Sequence, residues 1–176
     1  MFYGRIFTEK TVLLKDAMTN KFTKEEKVIL NKLTRWCSLS EKCIADVHRW
    51  FLQKQLPLDS LEKIIGYLIE NNYINETRYA AAFVHDRFLF NQWGRLKIAA
   101  ELSKKNIPQP IIDKAIKDGI NDMEYVNMLK NLLKKKKKLL EGKEIAVIKQ
   151  KMLNFATSKG FESGLVYNEI EELINK

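Results

Sequence analysis

From Thr23 onward, apolar residues recur at intervals of three and four along almost the whole chain. That spacing places them on one face of an α-helix. The first stretch opens at Thr23, whose side-chain oxygen can accept from the open amides of a first turn while Glu26 answers back, and Val28, Ile29, Leu30 and Leu33 follow. A second pair of the same kind, Ser38 with Glu41, predicts another helix carrying Ile44, Val47, Trp50 and Phe51. Pro57 and Asp59, with Glu62 behind them, predict a third with Leu61, Ile64, Ile65 and Leu68.

The same grammar returns twice. After Asn75, a good N-cap, come Tyr79, Ala80, Phe83, Val84 and Phe88, then Leu96 through Leu102, then Ile111, Ile112, Ala115 and Ile116. A third group runs through Val126, Leu129, Leu133 and Leu140, then Ile145, Ile148, Met152, Leu153 and Phe155, then Leu165, Val166, Ile170 and Leu173. A shift of 51 positions carries Lys54-Gln55-Leu56-Pro57 onto Lys105-Asn106-Ile107-Pro108, and a further 54 reach Lys159-Gly160-Phe161. Asn106 and Gly160 are suited to the left-handed backbone that closes a helix, with the following apolar residue folded back on the last turn; Gln55 is more strained there. A period near fifty residues marks tandem supersecondary units. The chain therefore reads as all-α, with three tandem three-helix repeats at 23–73, 74–121 and 122–176 behind an N-terminal arm at 1–22. Stacked repeats are expected to form an elongated, curved scaffold.

Composition sharpens this picture. Three prolines and seven glycines among 176 residues favour long helices, and the length suffices for one sizeable core or several small bundles. Lysine and arginine exceed aspartate and glutamate by 31 to 22, a net +9 that attracts anionic partners at long range. Cys37 and Cys43 stand six apart in helical sequence, which disfavours a mutual disulfide and reads as reduced core thiols. Val12-Leu13-Leu14 is too short for a signal-peptide core, and no run is long enough to span a bilayer. These features predict a cytoplasmic protein with no membrane partner.

Candidate chemistry is sparse. His48 and His85 are isolated, no phosphate loop, nucleophile elbow or HExxH spacing occurs, and no catalytic site or cofactor is expected. Cys37, Cys43 and His48 lack zinc spacing and a fourth ligand, so no metal is expected either. Phe83, Phe88, Phe90 and Trp93 are interleaved with Arg87, Arg95 and Lys97, an arrangement able to stack bases and hold phosphates. Helical phase sends Phe83 and Phe88 inward, which leaves the cations as contacts and Trp93 ambiguous. The run Lys134 to Lys138 lies between Leu132-Leu133 and Leu139-Leu140, so its lysines spread around a half-apolar helix, with Lys130 one turn earlier. A solvated face and a polyanion-facing one both fit that pattern.

The stretch Asn72-Tyr73-Ile74-Asn75-Glu76-Thr77-Arg78-Tyr79-Ala80 resembles the Gly-Tyr-Leu/Ile-Asn/Asp-Asp/Glu-x-Arg-Tyr/Phe-Ala signature of the RecX family, regulators of the RecA recombinase. Gly94-Arg95-Leu96-Lys97-Ile98, then Leu102 and Lys105-Asn106-Ile107, is similar to that family's second motif. Leu33-Thr34-Arg35 and Lys159-Gly160-Phe161 extend the likeness toward both ends. The departures are Asn72 and Asn106 in place of glycine, which asparagine can replace in a left-handed cap.

The resemblance implies a modulator, mainly inhibitory, that lodges on the RecA filament on single-stranded DNA and restrains its ATPase, strand-exchange and coprotease activities. It would meet DNA weakly or through the filament, and act as a monomer. Charge and helical phase nominate Arg87, Arg95, Lys97, Lys104, Lys105, Lys130, Lys134, Lys135, Lys136, Lys137 and Lys138 as contacts. Arg78 is added, with pairing to a neighbouring carboxylate as its equal alternative. The rival reading is a helical-repeat protein that binds nucleic acid directly, independently of RecA.

Overall fold

The computed structural model describes residues 21–175; the N-terminal arm expected at 1–22 lies outside them save for Lys21 and Phe22. The described residues form nine α-helices joined by short turns, without a strand. The chain divides into two compact units, one ending at Asn75 and one beginning at Glu76.

The first unit holds α1 (Lys24–Leu39), α2 (Ile44–Gln53) and α3 (Leu61–Glu70). Its opening cap is the one predicted: Glu26 donates its amide to Thr23 Oγ1 at 3.2 Å, and Thr23 donates its own to Glu26 Oε2 at 2.7 Å. Leu30, Leu33, Val47, Phe51, Ile64 and Leu68 are buried together, and Phe22 closes one side with its ring edge-on to Tyr67 at 5.5 Å. Lys63 straps that corner, bonding Glu26 at 2.8 Å while its ammonium lies 4.6 Å over the Phe22 ring.

Two expectations in this unit are corrected. Ser38 and Glu41 do not start α2; α1 runs through Ser38 to Leu39. The extra turn buries Cys37 on the face shared by Leu30 and Leu33, and Ser38 turns its hydroxyl back to the Arg35 carbonyl at 2.8 Å. The cap of α2 is Cys43, fully buried, with the Asp46 carboxylate accepting from its amide and its thiol at 3.3 Å each. Likewise Pro57 precedes and Asp59 lies within a short 3-10 turn, Leu58–Ser60, and α3 begins after it at Leu61. Both thiols are free and buried, as expected, and burial raises the Cys37 pKa.

The second unit contains two further three-helix groups: α4 (Glu76–Leu89), α5 (Arg95–Ser103) and α6 (Gln109–Gly119), then α7 (Asp122–Lys138), α8 (Ile145–Ser158) and α9 (Ser163–Ile174). Each group buries one apolar stripe per helix, with Val84, Phe88, Ile98, Leu102 and Ile112 in the former and Leu129, Leu133, Met152, Val166 and Ile170 in the latter.

The repeated turn is one hydrogen-bonding device used four times. Gln55, Asn72, Asn106 and Gly160 all take positive φ, at 51°, 58°, 60° and 91°. At each, the next residue's amide reaches back five positions: Leu56 to Phe51, Tyr73 to Leu68, Ile107 to Leu102 and Phe161 to Ala156. The left-handed residue itself reaches back three, which satisfies carbonyls that the helix end leaves open. Gln92 at φ 55° is a fifth left-handed residue, in the α4–α5 loop.

That loop docks directly on the last of these turns. The Gly94 amide donates to the Lys159 carbonyl at 2.8 Å and the Leu96 amide to the Gly160 carbonyl at 3.1 Å. A Cβ on Gly94 would overlap the Gly160 carbonyl, and one on Gly160 would overlap Lys97. Gly94→Ala is therefore expected to cost more than about 3 kcal/mol, beyond ordinary surface substitutions. Gln55→Gly should instead gain about 0.5–1 kcal/mol, since a roughly 1–2 kcal/mol left-handed cost is partly offset by glycine's greater unfolded freedom. Urea unfolding of both variants checks this contrast.

Candidate partner-binding face

The junction between α4–α6 and α7–α9 collects side chains that are far apart in sequence. Tyr125, on α7, lies at its centre, fully buried, with its ring 4.9 Å from Phe161 and 6.1 Å from Phe88. Its hydroxyl donates to Glu162 Oε2 at 2.7 Å and accepts the Arg95 amide at 3.1 Å. Burial raises its pKa far above that of an exposed tyrosine, and the Glu162 carboxylate adds to the shift. The Arg95 guanidinium lies 4.2 Å over the same ring and pairs with Asp122 at the start of α7.

Outside this keystone, two aromatic rings are each flanked by two cations. Trp93, half-buried, has Arg87 5.2 Å over its ring and Lys97 at 4.6 Å. Phe155, on α8, has Lys136 at 5.1 Å and Lys159 at 5.8 Å. Backbone carbonyls tie the two rings' neighbourhoods: Lys97 reaches the Ser158 carbonyl and Lys159 the Asn91 carbonyl, both at 3.4 Å. Arg87 also stacks 4.8 Å over Phe83 and bonds Asn91 at 3.0 Å. Cations stacked on rings keep their charge while their orientation is fixed. Glu101 shares this field: its pKa is lowered first by its bond to Lys104, then by the charges of Lys104, Lys97 and Arg87.

The nominated cations thus divide by their surroundings. Arg87, Lys97 and Lys136 are ring-stacked, and Lys105 is half-buried 5.6 Å over Tyr79. Arg95 pairs with Asp122, Lys104 with Glu101 at 2.7 Å, and Lys130 with Glu169 and Glu172 at 3.4 Å, whose charges raise its pKa. Lys137 donates to the Leu173 carbonyl at 2.9 Å, closing the last turn of α9. Arg78 is half-buried and engaged rather than free. The side chains of Lys134, Lys135 and Lys138 are exposed and make no ion pair or hydrogen bond among the described residues.

Sequence reasoning missed Lys159 and Phe155 as parts of this face. Its one available signal was the basic residue before the Gly160 turn, which reads as turn chemistry until the fold sets it beside Asn91. Phe90 and Met123, at 76% and 75% exposed, are prominent apolar residues on the same unit. No group of three or more potential metal ligands occurs among the described residues, and no helix there is long and apolar enough to cross a membrane.

Fold and face together define an all-α tandem-repeat protein whose distinctive surface is cationic and ring-stacked. Residues 75–116, covering α4, α5 and most of α6, match the family model for RecX, second three-helix domain. The chain is 26% identical over 128 residues to regulatory protein RecX of Bacillus cytotoxicus, spanning 73% of this chain and 47% of that one. It is 26% identical over 172 residues to regulatory protein RecX of Clostridium perfringens, spanning 95% and 79% respectively. The chain spans about half the length of several curated relatives it matches. Among solved structures, a regulatory protein RecX aligns with TM-score 0.74 at 22% identity over 81% of this chain and 71% of that one. RecX from Lactobacillus salivarius aligns with TM-score 0.71 at 22% identity over 84% and 95%. Over residues 75–116 in sequence, and in fold over most of its length, the chain is similar to RecX proteins.

Tyr125→Phe is expected to destabilise the protein by about 1–3 kcal/mol, because the Glu162 carboxylate and Arg95 amide lose a shared buried partner. The sign with pH follows from the raised pKa. The wild-type hydroxyl contributes fully below the unfolded tyrosine value near 10 and progressively less as pH climbs above it. The phenylalanine variant should lose less stability than wild type between neutral and strongly alkaline pH, measured by thermal unfolding across that range.

Proposed function

We propose that this chain is a regulatory protein that engages the RecA filament on single-stranded DNA and modulates, mainly by inhibition, its ATPase, strand-exchange and coprotease activities. The observation that carries this reading is the coincidence of the family match with the face: Arg87, Arg95, Lys97, Lys104 and Lys105 all lie within residues 75–116. Relatives bearing the name regulatory protein RecX support the regulatory part of the reading.

The chemistry of the face suits such a partner. A net +9 steers the protein toward an anionic nucleoprotein assembly, and ring-stacked cations present charge already held in place, so little ordering entropy is lost on contact. The protein acts by occupying a surface rather than by making or breaking bonds. It works in the cytoplasm as a monomer with no cofactor, and residues 74–121 and 122–176 are the repeats that meet the filament.

The single-stranded-DNA-dependent ATPase of the cognate RecA, with this protein titrated in at two salt concentrations, tests the proposal. Inhibition that weakens at higher salt is expected. Lys97→Gln combined with Lys159→Gln should raise the half-inhibitory concentration roughly tenfold, in line with losing two oriented charges at an interface. An ATPase that never responds to the wild-type protein would sink the reading.

A further inference from the structure

We infer that the outward stripe of α7, built from Asn127, Asn131, Lys134, Lys135 and Lys138, is the surface with which the protein touches nucleic acid directly. The inference rests on the filament reading and divides the cation set within it. Most cations of the second unit are already committed to rings, carboxylates or carbonyls of their own chain. Lys130, Lys136 and Lys137 of the same basic run are among them. The helix turns those three toward α8 and α9, whereas Lys134, Lys135 and Lys138 are exposed, Lys134 also lining a cavity with Lys130, Glu169 and Glu172 at its α9 edge.

Three observations select the partner. The exposed residues Asn127, Asn131, Lys134 and Lys138 recur at four, three and four positions, a continuous stripe along about three turns of helix. Beside it runs a shallow groove lined by Gln92, Glu124, Asn127, Asn131, Lys134 and Lys135, with Met128 as its one apolar member. Side-chain amides between lysines can donate to phosphate oxygens and meet base edges, while the ammonium groups release counterions from the strand. A protein-binding hot spot would need a large aromatic or arginine anchor in a desolvated pocket, and this stripe has neither. The attraction of lysines to the negative end of a helix dipole acts only over the last turn, which is Lys135 to Lys138. It accounts for neither Lys134 nor the two asparagines. Glu124 is the one carboxylate lining the groove, and it lies toward the N-terminal end, away from Lys138.

The test is fluorescence anisotropy of a labelled oligothymidine of about 30 nucleotides, without any recombinase, over a salt series from about 25 to about 200 mM. Wild type is compared with Lys134→Gln/Lys135→Gln/Lys138→Gln and with a control of equal charge loss, Lys24→Gln/Lys32→Gln/Lys54→Gln. The control lysines are exposed residues of the first unit. Weak, saturable wild-type binding is expected. The stripe variant should bind roughly tenfold or more weakly at low salt, with a log–log salt slope shallower by about 2, from ~0.7 per single-strand phosphate contact. The control should stay close to wild type.

Equal weakening in both variants would mean that net charge alone matters, and it overturns the inference, as does the absence of saturable wild-type binding. So does a stripe variant that binds DNA normally yet no longer inhibits the RecA ATPase, which would turn these lysines toward an acidic protein surface. If the stripe governs DNA binding while wild type leaves the ATPase untouched, the stripe stands and the filament reading alone fails.

Discussion

The second unit depends on one backbone-to-backbone contact, the approach of Gly94 to the Lys159–Gly160 turn. Two amides of the α4–α5 loop and the first turn of α5 are satisfied by carbonyls of a turn more than sixty residues away. That closeness leaves no space for a side chain on either glycine. Because the contact fixes where the end of α8 meets the start of α5, it also brings Tyr125 under Arg95 and sets Phe161 against the Tyr125 ring. It acts with the Arg95–Asp122 pair and the Arg95 amide on the Tyr125 hydroxyl to set the register of the two three-helix groups.

The same constraint creates the cationic face. Lys97 follows Gly94 on α5, Lys159 precedes Gly160, and docking the two glycines sets these lysines beside each other with Trp93 and Phe155 on either side. A structural requirement for close packing and a display of oriented charge are therefore produced by one local geometry. Coupled in this way, the face has the order of the core behind it, while Lys134, Lys135 and Lys138 retain the rotamer freedom of solvent-exposed lysines.

Two carboxylate systems limit the field. Glu169 and Glu172 of α9 pair with Lys130 of α7, and Glu171 bonds Lys149 of α8 at 2.6 and 2.8 Å. Lys135 and Lys138 lie outside the cavity lined by Lys130, Glu169 and Glu172, exposed and without an ion pair among the described residues. Helical phase sets this arrangement: Lys130 and Lys137 stand seven residues apart, on one side of α7, while Asn127, Asn131, Lys135 and Lys138 are exposed.

By itself the sequence determined the helices, their grouping and the chemistry of their turns, because these are local. The Thr23 cap, the left-handed Asn106 and Gly160 and the heptad-like burial of Leu129 and Leu133 each depend on residues within one or two turns. Where two local solutions compete, as at Ser38 and Cys43, neighbouring residues do not choose; burial of Cys37 and Cys43 in the first unit's core does. The long-range pairings were decided by tertiary structure alone. Nothing near Lys159 in sequence reports Asn91, and nothing in the lysine run shows that Lys136 and Lys137 are engaged while Lys134, Lys135 and Lys138 are not. Charge and periodicity specify what a side chain is and which way its helix turns it. Which neighbour it meets is set by packing between helices distant in the chain, and that information exists only once the core has closed.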